Sequence, residues 1–528
     1  MARTSRGSPP MAASPSRWAA ATSSGCASGT RAVRKRRVVA EIHKGASITP
    51  TKLELIDAWM GTQRWYATKG TSPSLRRLAS WRLGDPEGEV GVEVLIVADD
   101  SGPSPITYQV PLTYRAAPVA GLENALVGLM EHSVLGTRWV YDAPHDPVYA
   151  GQLLELLQGR VRAESSAASD AYDDTVVATP ASTWTRAVTV QRSKVLSGEQ
   201  SNTSVILDCV DAAGEPVPVI VKVFRMLSAG ENPDVVLQSA LVEHGSRRVP
   251  AVVGSVAGQW PDAGTEGEHT AYGHFVFAQE FLPGVEDAWR VALEAVRAGE
   301  DFSAPARALG EATAEVHAML ADALGTTETT PDVAREIVAG MRDRYAAAAA
   351  EVGALSDHDE AVSAIFDAAE GVNWPALQRI HGDYHLGQVL HTSDGGWVLL
   401  DFEGEPLRPL TERNQPDQRI RDIAGMLRSF DYAGGAVEHS SDASARDWVT
   451  DTQQAFLDGY AATAGEDPRE RSSLLAAFEL DKAMYEVVYE VRNRPSWVDI
   501  PLAAIERLAA GFGTTTAASP TAPQEDTP

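Results

Sequence analysis

Two carboxylates eighteen positions apart dominate the chemistry available to this chain. Asp383 lies in His381-Gly382-Asp383-Tyr384-His385-Leu386-Gly387-Gln388, and Asp401 opens Asp401-Phe402-Glu403-Gly404. An acid, an amide five residues later and a second acid after a short hairpin suit phosphoryl transfer from ATP. Such a reaction asks for positioning and charge neutralisation more than for covalent work by the protein. Asp383 is the candidate base, orienting an acceptor hydroxyl and taking its proton. Gln388 and Asp401 supply hard oxygen ligands of the kind that Mg²⁺ selects.

Spacing explains how they would meet. Val389-Leu390-His391 and Trp397-Val398-Leu399-Leu400 flank Ser393-Asp394-Gly395-Gly396, a strong hairpin signal that folds Asp401 back towards Gln388. Glu403 and Glu405 add charge beside Asp401, and crowded acids raise one another's pKa unless a cation is near. Lys222 follows the apolar run Val219–Val221 and is a candidate for the ATP α/β-phosphates. An acidic partner is expected on the following helix. Asp234 and Glu243 are the acids there, and the sequence does not choose between them.

The stretch Ser197-Gly198-Glu199-Gln200-Ser201-Asn202-Thr203 occupies the place of a phosphate-covering loop, with Ser201, Asn202 and Thr203 as candidate contacts. It lacks a GxGxxG pattern. The order of elements places a hinge at Gln279–Leu282, where backbone groups of Glu280 and Leu282 would meet an adenine edge. A Walker A sequence is absent, which excludes the P-loop NTPases.

The elements that must carry these residues read as α+β. Residues 51–60 form an amphipathic helix, strands follow around 90–97 and 107–110, and a helix spans about 147–157. This α+β cap covers 45–160, and the polar, small-residue stretch 161–183 reads as a linker. Strands dominate 184–283, with Asn232-Pro233-Asp234 capping a helix that runs to Glu243. Helices dominate 284–512, notably 305–324, 332–352, 359–370 and 474–492. The expectation is a two-lobed, protein-kinase-like fold behind an N-terminal cap, with tails at 1–44 and 513–528 too low in complexity to fold.

Composition narrows the partners. The 528 residues are 44% apolar and 22% charged, as in soluble globular proteins. A net charge of −27 speaks against nucleic acid and against anionic membranes. Two cysteines, Cys26 and Cys209, form no metal spacing and suit a reducing cytoplasm. No apolar run reaches the roughly 20 residues that a bilayer span requires.

HGDYHLGQVL (381–390), LLDFEGEP (399–406), RDIAGMLRSFDYA (421–433), QSNTSVI (200–206), VKVFR (221–225), NPD (232–234), QEFLPG (279–284) and LDKAMYEVVYEVRNRPSWVDIPLAAI (480–505) together resemble the maltokinases, relatives of the aminoglycoside phosphotransferases. The likeness covers roughly residues 45–510, and DFEGEP and YEVVYEVRNRPSW are its more specific parts. It implies transfer of the ATP γ-phosphoryl group to the anomeric hydroxyl of maltose, with Mg²⁺, to feed α-glucan synthesis. It also implies a possible complex with a separate trehalose synthase. Most such kinases place Asn where this chain has Gln388, and members often carry an acid where it has Val236. A disaccharide site needs polar groups and aromatic faces. The candidates are His381, Glu403, Lys482, Tyr485, Glu486, Tyr489, Arg492 and Trp497. Glucosamine or another sugar, an aminoglycoside, or a pseudokinase role are the alternatives.

Overall fold

Thr51 starts the first helix, Lys52–Met60, through a capping box. Its Oγ1 accepts from the Glu54 N–H, while the Glu54 carboxylate accepts from the Thr51 N–H. The computed structural model describes residues 45–515, apart from 198–200, 265–268, 394, 407 and 442–443. The expectations for the tails at 1–44 and 516–528 fall outside the described residues, as does part of the phosphate-loop assignment.

Leu55, Ile56 and Met60 of that helix pack on one face of an antiparallel sheet. The sheet runs in the order Ile48–Thr49, Leu126–His132, Gly136–Asp142, Ile106–Arg115, Gly91–Asp99, Leu75–Leu83, Glu164–Ser165. The strand Gly91–Asp99 is apolar along most of its length because both of its faces are covered. Leu95 and Val97 face the helix, whereas Val92, Val94 and Ile96 face a second core shared with the next sheet.

That next sheet has the order Val176–Pro180, Val252–Pro261, Thr270–Glu280, Val219–Phe224, Asn202–Asp211, Val188–Val195. Alternation again sets direction. Val219, Val221 and Val223 enter the core, so Lys222 projects from the opposite face. The stretch 161–183, expected as a linker, instead supplies an edge strand to each sheet: Glu164–Ser165 pairs with Leu75–Leu83, and Val176–Pro180 pairs with Val252–Pro261. Short edge strands need few apolar residues, so their composition resembles that of a loop.

The helical lobe carries the largest core. Helices Ser303–Leu324, Pro331–Glu351, Asp359–Glu370, Ile420–Ser440, Arg446–Ala464 and Ser472–Asn493 match the periodicity of the sequence. Ala288–Ala298 and Asp499–Thr515 are two further helices, the second running into the stretch expected as a tail. The expected hairpin is present as Val389–His391 paired with Trp397–Leu399. Among the described residues no helix is long and apolar enough to cross a membrane.

Candidate active site

The loop carrying Asp383 is held by Asp422, in the first turn of the helix Ile420–Ser440. Its buried carboxylate accepts from the backbone N–H groups of His381 and Gly382, each at 2.9 Å, and approaches His317 Nε2 at 2.9 Å. One helical turn on, Gly425 lets this helix close on the loop, because a Cβ there would stand 2.6 Å from the Tyr384 carbonyl oxygen. His381 is buried, with Nε2 2.8 Å from the Leu400 carbonyl and its ring against Phe402. It therefore braces the loop against the Asp401 segment, where the sequence had offered it as a sugar contact.

Asp401 sits at φ 63°, a left-handed conformation uncommon outside glycine. Such a cost is met where surrounding contacts fix a functional group. Its Oδ1 accepts from Lys222 Nζ at 2.7 Å and its Oδ2 from Gln388 Nε2 at 3.0 Å, so the hairpin does bring the amide to the acid. Burial pushes the Asp401 pKa upward, but Lys222 outweighs it and leaves the carboxyl below its ordinary value.

The partner of Lys222, undecided from sequence, is Asp234 at 2.8 Å. Asn232 caps the helix Pro233–Glu243 by accepting from the Asp234 N–H, which places Asp234 in the first turn beside the positive helix end. The other Asp234 oxygen accepts from the Phe402 N–H at 2.8 Å. Asp234 thus joins the lysine to the Phe402 segment; it is one of the two acids between which the sequence did not choose, and the NPD cap was its available signal.

Asp234, Asp401 and Glu403 offer oxygens within 4.8 Å of one another. The donor set is all hard oxygen, which fits a divalent cation. Glu403 is pushed to a pKa of about 7, by burial first and then by the charges of Asp401 and Asp234 against the opposing pull of Lys222. A carboxyl held that high by its neighbours is one that a nearby cation would return to its charged form.

On the acceptor side Lys482 Nζ reaches Asp383 Oδ1 at 3.1 Å and Glu405 Oε1 at 3.3 Å, and lies 4.9 Å from the Tyr485 ring centroid. Burial pushes the Asp383 pKa up, but Lys482, His385 and His381 together hold it below the usual carboxylate value. Tyr489 stacks on Tyr485, with centroids 6.5 Å apart. Glu486 belongs to the wall behind. It accepts from Arg428 Nη2 at 2.7 Å and Nε at 2.9 Å, and its pKa is raised by burial.

Several sequence-predicted contacts lie elsewhere. Arg492 pairs with Glu351 at 2.7 Å on an exposed face, and Trp497 packs against His439 and Arg494. The helix Ser472–Asn493 turns about 100° per residue, so a run of suitable types need not share one face. Thr203 Oγ1 accepts from Arg225 Nε at 2.8 Å, which directs it into the cap and away from the cleft. Asn202 Nδ2 does face the cleft, reaching Glu403 Oε1 at 3.0 Å, and exposed Ser201 precedes it. The Glu280 N–H is used by the Ala251 carbonyl, so any hinge contact from Glu280 runs through its carbonyl oxygen. Leu282 follows the end of the same strand.

A strand-rich lobe bearing Lys222, a helical lobe bearing Asp383 and Asp401, and a sheet-built cap define a kinase-like phosphotransferase fold. Residues 59–146 match the model of the maltokinase N-terminal cap domain, and residues 236–474 match that of the phosphotransferase enzyme family. The chain thus carries a region similar to the phosphotransferase enzyme family behind a region similar to the maltokinase N-terminal cap domain. A glucosamine kinase of Streptacidiphilus jiangxiensis is 31% identical over 42% of this chain and 54% of its own length, about half of that relative. A glucosamine kinase of Mycolicibacterium smegmatis is 29% identical over 61% of this chain and 80% of its own length. A solved glucosamine kinase in complex with glucosamine, ADP and inorganic phosphate superposes with a TM-score of 0.63 at 25% identity, covering 87% of this chain and 99% of that one.

Proposed function

We propose that the chain transfers the γ-phosphoryl group of ATP to the anomeric hydroxyl of a small sugar, with maltose as the acceptor. One observation carries this reading. Lys222, Asp234 and Asp401 meet on one side and Asp383 and Lys482 on the other, with Asp401 and Asp383 both supplied by the single segment 381–405.

In this mechanism Lys222 holds the ATP phosphates, and Asn202 lies over the same end of the cleft. Asp401, with Glu403, Asp234 and the Gln388 amide beside it, would hold Mg²⁺, which when bound neutralises phosphate charge and favours departure of ADP. Asp383 accepts the proton of the acceptor hydroxyl as its oxygen bonds to the γ-phosphorus and the bond to the ADP oxygen breaks. Its depressed pKa keeps it ionised for this role at neutral pH. Lys482 supports a neutral acceptor, because its ammonium already pairs with Asp383 and Glu405. Tyr485 and Tyr489 offer faces for sugar rings.

A second reading has its own support. The relatives and the solved neighbour are glucosamine kinases, and Asp383, Glu403 and Glu405 could pair with a sugar ammonium. ATP–Mg²⁺ turnover with maltose, glucose, glucosamine and an aminoglycoside, followed by NMR of the product, separates the two. Maltose 1-phosphate as the best product supports the first, and glucosamine phosphate the second. Absence of transfer to any sugar would contradict both.

A further inference from the structure

Arg225 directly follows the strand that carries Lys222, yet its side chain leaves the cleft. It crosses into the cap and is fully buried. A buried guanidinium is costly unless its donors are met. Nη2 donates to both oxygens of Asp142 in the cap at 2.7 Å and Nε donates to Thr203 Oγ1 at 2.8 Å, while the buried Nη1 has no hydrogen-bond partner among the described residues. The guanidinium carbon lies 4.8 Å from the Trp65 ring centroid. The backbone repeats the pattern, for the Arg225 N–H donates to the Ser201 carbonyl at 3.3 Å and its carbonyl accepts from the Gln109 N–H at 2.8 Å. Immediately after it, Met226–Leu227 pairs with Ile106–Arg115 as an extra strand of the cap sheet.

Ser201 and Thr203 bracket Asn202, the residue that faces Glu403 across the cleft. We propose that Arg225 is a positioning residue for the nucleotide, fixing the Ser201–Thr203 segment to Asp142 so that the cap sets the height of the strand edge over the phosphates. A fork is suited to this, because one planar group with fixed donor angles ties two elements at once. The inference rests on the nucleotide occupying this cleft. The two fail differently: an error about the cleft shows as a wild-type protein that neither binds nor turns over ATP, and an error about Arg225 shows as active variants with unaltered ATP dependence.

The test compares steady-state kinetics of Asp142→Asn, Thr203→Val and Arg225→Lys with Leu55→Ala, a cap-core change that lowers stability without touching the fork. Asp142→Asn is expected to raise the ATP KM at least about threefold while the sugar KM stays within about twofold. Thr203→Val is expected to act in the same direction, and the double variant less than additively, because both work through one guanidinium. Arg225→Lys keeps the charge and one bond, so it should fall between wild type and Asp142→Asn. Leu55→Ala should lower Tm and leave the ATP KM unchanged. If Asp142→Asn does not fold, the comparison of Thr203→Val with Leu55→Ala decides. An ATP KM shift below about threefold in folded Asp142→Asn, an unshifted ATP KM in Thr203→Val, or an equal shift in Leu55→Ala would overturn the inference.

Discussion

Lys482 Nζ stands 3.1 Å from Asp383 Oδ1, so the candidate base meets its acceptor already paired with a cation from the C-terminal part of the chain. Both groups are perturbed by the pairing. Burial pushes the Asp383 pKa up, yet Lys482 and the neighbouring histidines bring it below its ordinary value. Burial pushes the Lys482 pKa down, yet Asp383, Glu405 and Glu486 bring it above its ordinary value.

The sign of the pH effect follows from those directions. The contribution of Asp383 to stability is present above the carboxylate pKa of the unfolded chain and is lost as pH falls through the depressed folded value. That of Lys482 is present below the ordinary lysine pKa and is lost as pH rises through its raised value. In Lys482→Met, burial would act on Asp383 with less opposition. The acid limb of kcat/KM should therefore move to higher pH, and the loss of Tm should be largest near neutrality and shrink in acid. A pH–rate profile with an unmoved acid limb would count against the pairing.

Asp234 links Lys222 to the N–H of Phe402, next to Asp401. Asp234→Asn should leave the lysine held by Asp401 and Glu403 alone. The ATP KM should rise and kcat fall, together lowering kcat/KM for ATP by roughly 10²-fold, the scale of losing one preorganised charged contact. The same substitution should leave the sugar KM near the wild-type value. Steady-state kinetics with each substrate varied in turn would read both effects.

Gly425 offers a test of the loop support that does not touch the chemistry. A methyl group there would collide with the Tyr384 carbonyl, which is backbone and cannot swing aside. Gly425→Ala should destabilise the protein by about 1–3 kcal/mol, the range for overpacking a filled interior. It should also lower kcat by displacing Asp383. Urea denaturation gives the first quantity and turnover the second. Full stability with normal turnover would show that the helix does not fix the loop.

The sequence was most legible where one short segment sets the geometry. The Gln388 and Asp401 spacing and the Gly395-Gly396 turn specify a local hairpin, and the amide meets the acid as that hairpin requires. Lys222 was legible through strand alternation alone. Asp234 was legible only as one of two candidates, because its pairing is made between a strand and the start of a separate helix, and an acid in a first turn is ordinary capping chemistry in sequence terms. Arg225 was less legible still, since an arginine just past a strand reads as a surface residue until the cap is placed over it. Along 482–497, residue type alone suggested one sugar-binding face. The helix divides that run between the cleft (Lys482, Tyr485), the Arg428 wall (Glu486) and an outer face where Arg492 meets Glu351.

In the proposed mechanism Asp383 faces the acceptor hydroxyl while other residues hold the nucleotide. The decisive experiment follows transfer of label from γ-³²P ATP to maltose in the presence of Mg²⁺, for wild type and Asp383→Asn, alongside ADP binding by calorimetry. The expected result is labelled sugar 1-phosphate from wild type, a loss of at least about 10²-fold in Asp383→Asn, and ADP affinity within about threefold of wild type in both. Near-wild-type transfer by Asp383→Asn, or loss of ADP binding together with turnover, would contradict it.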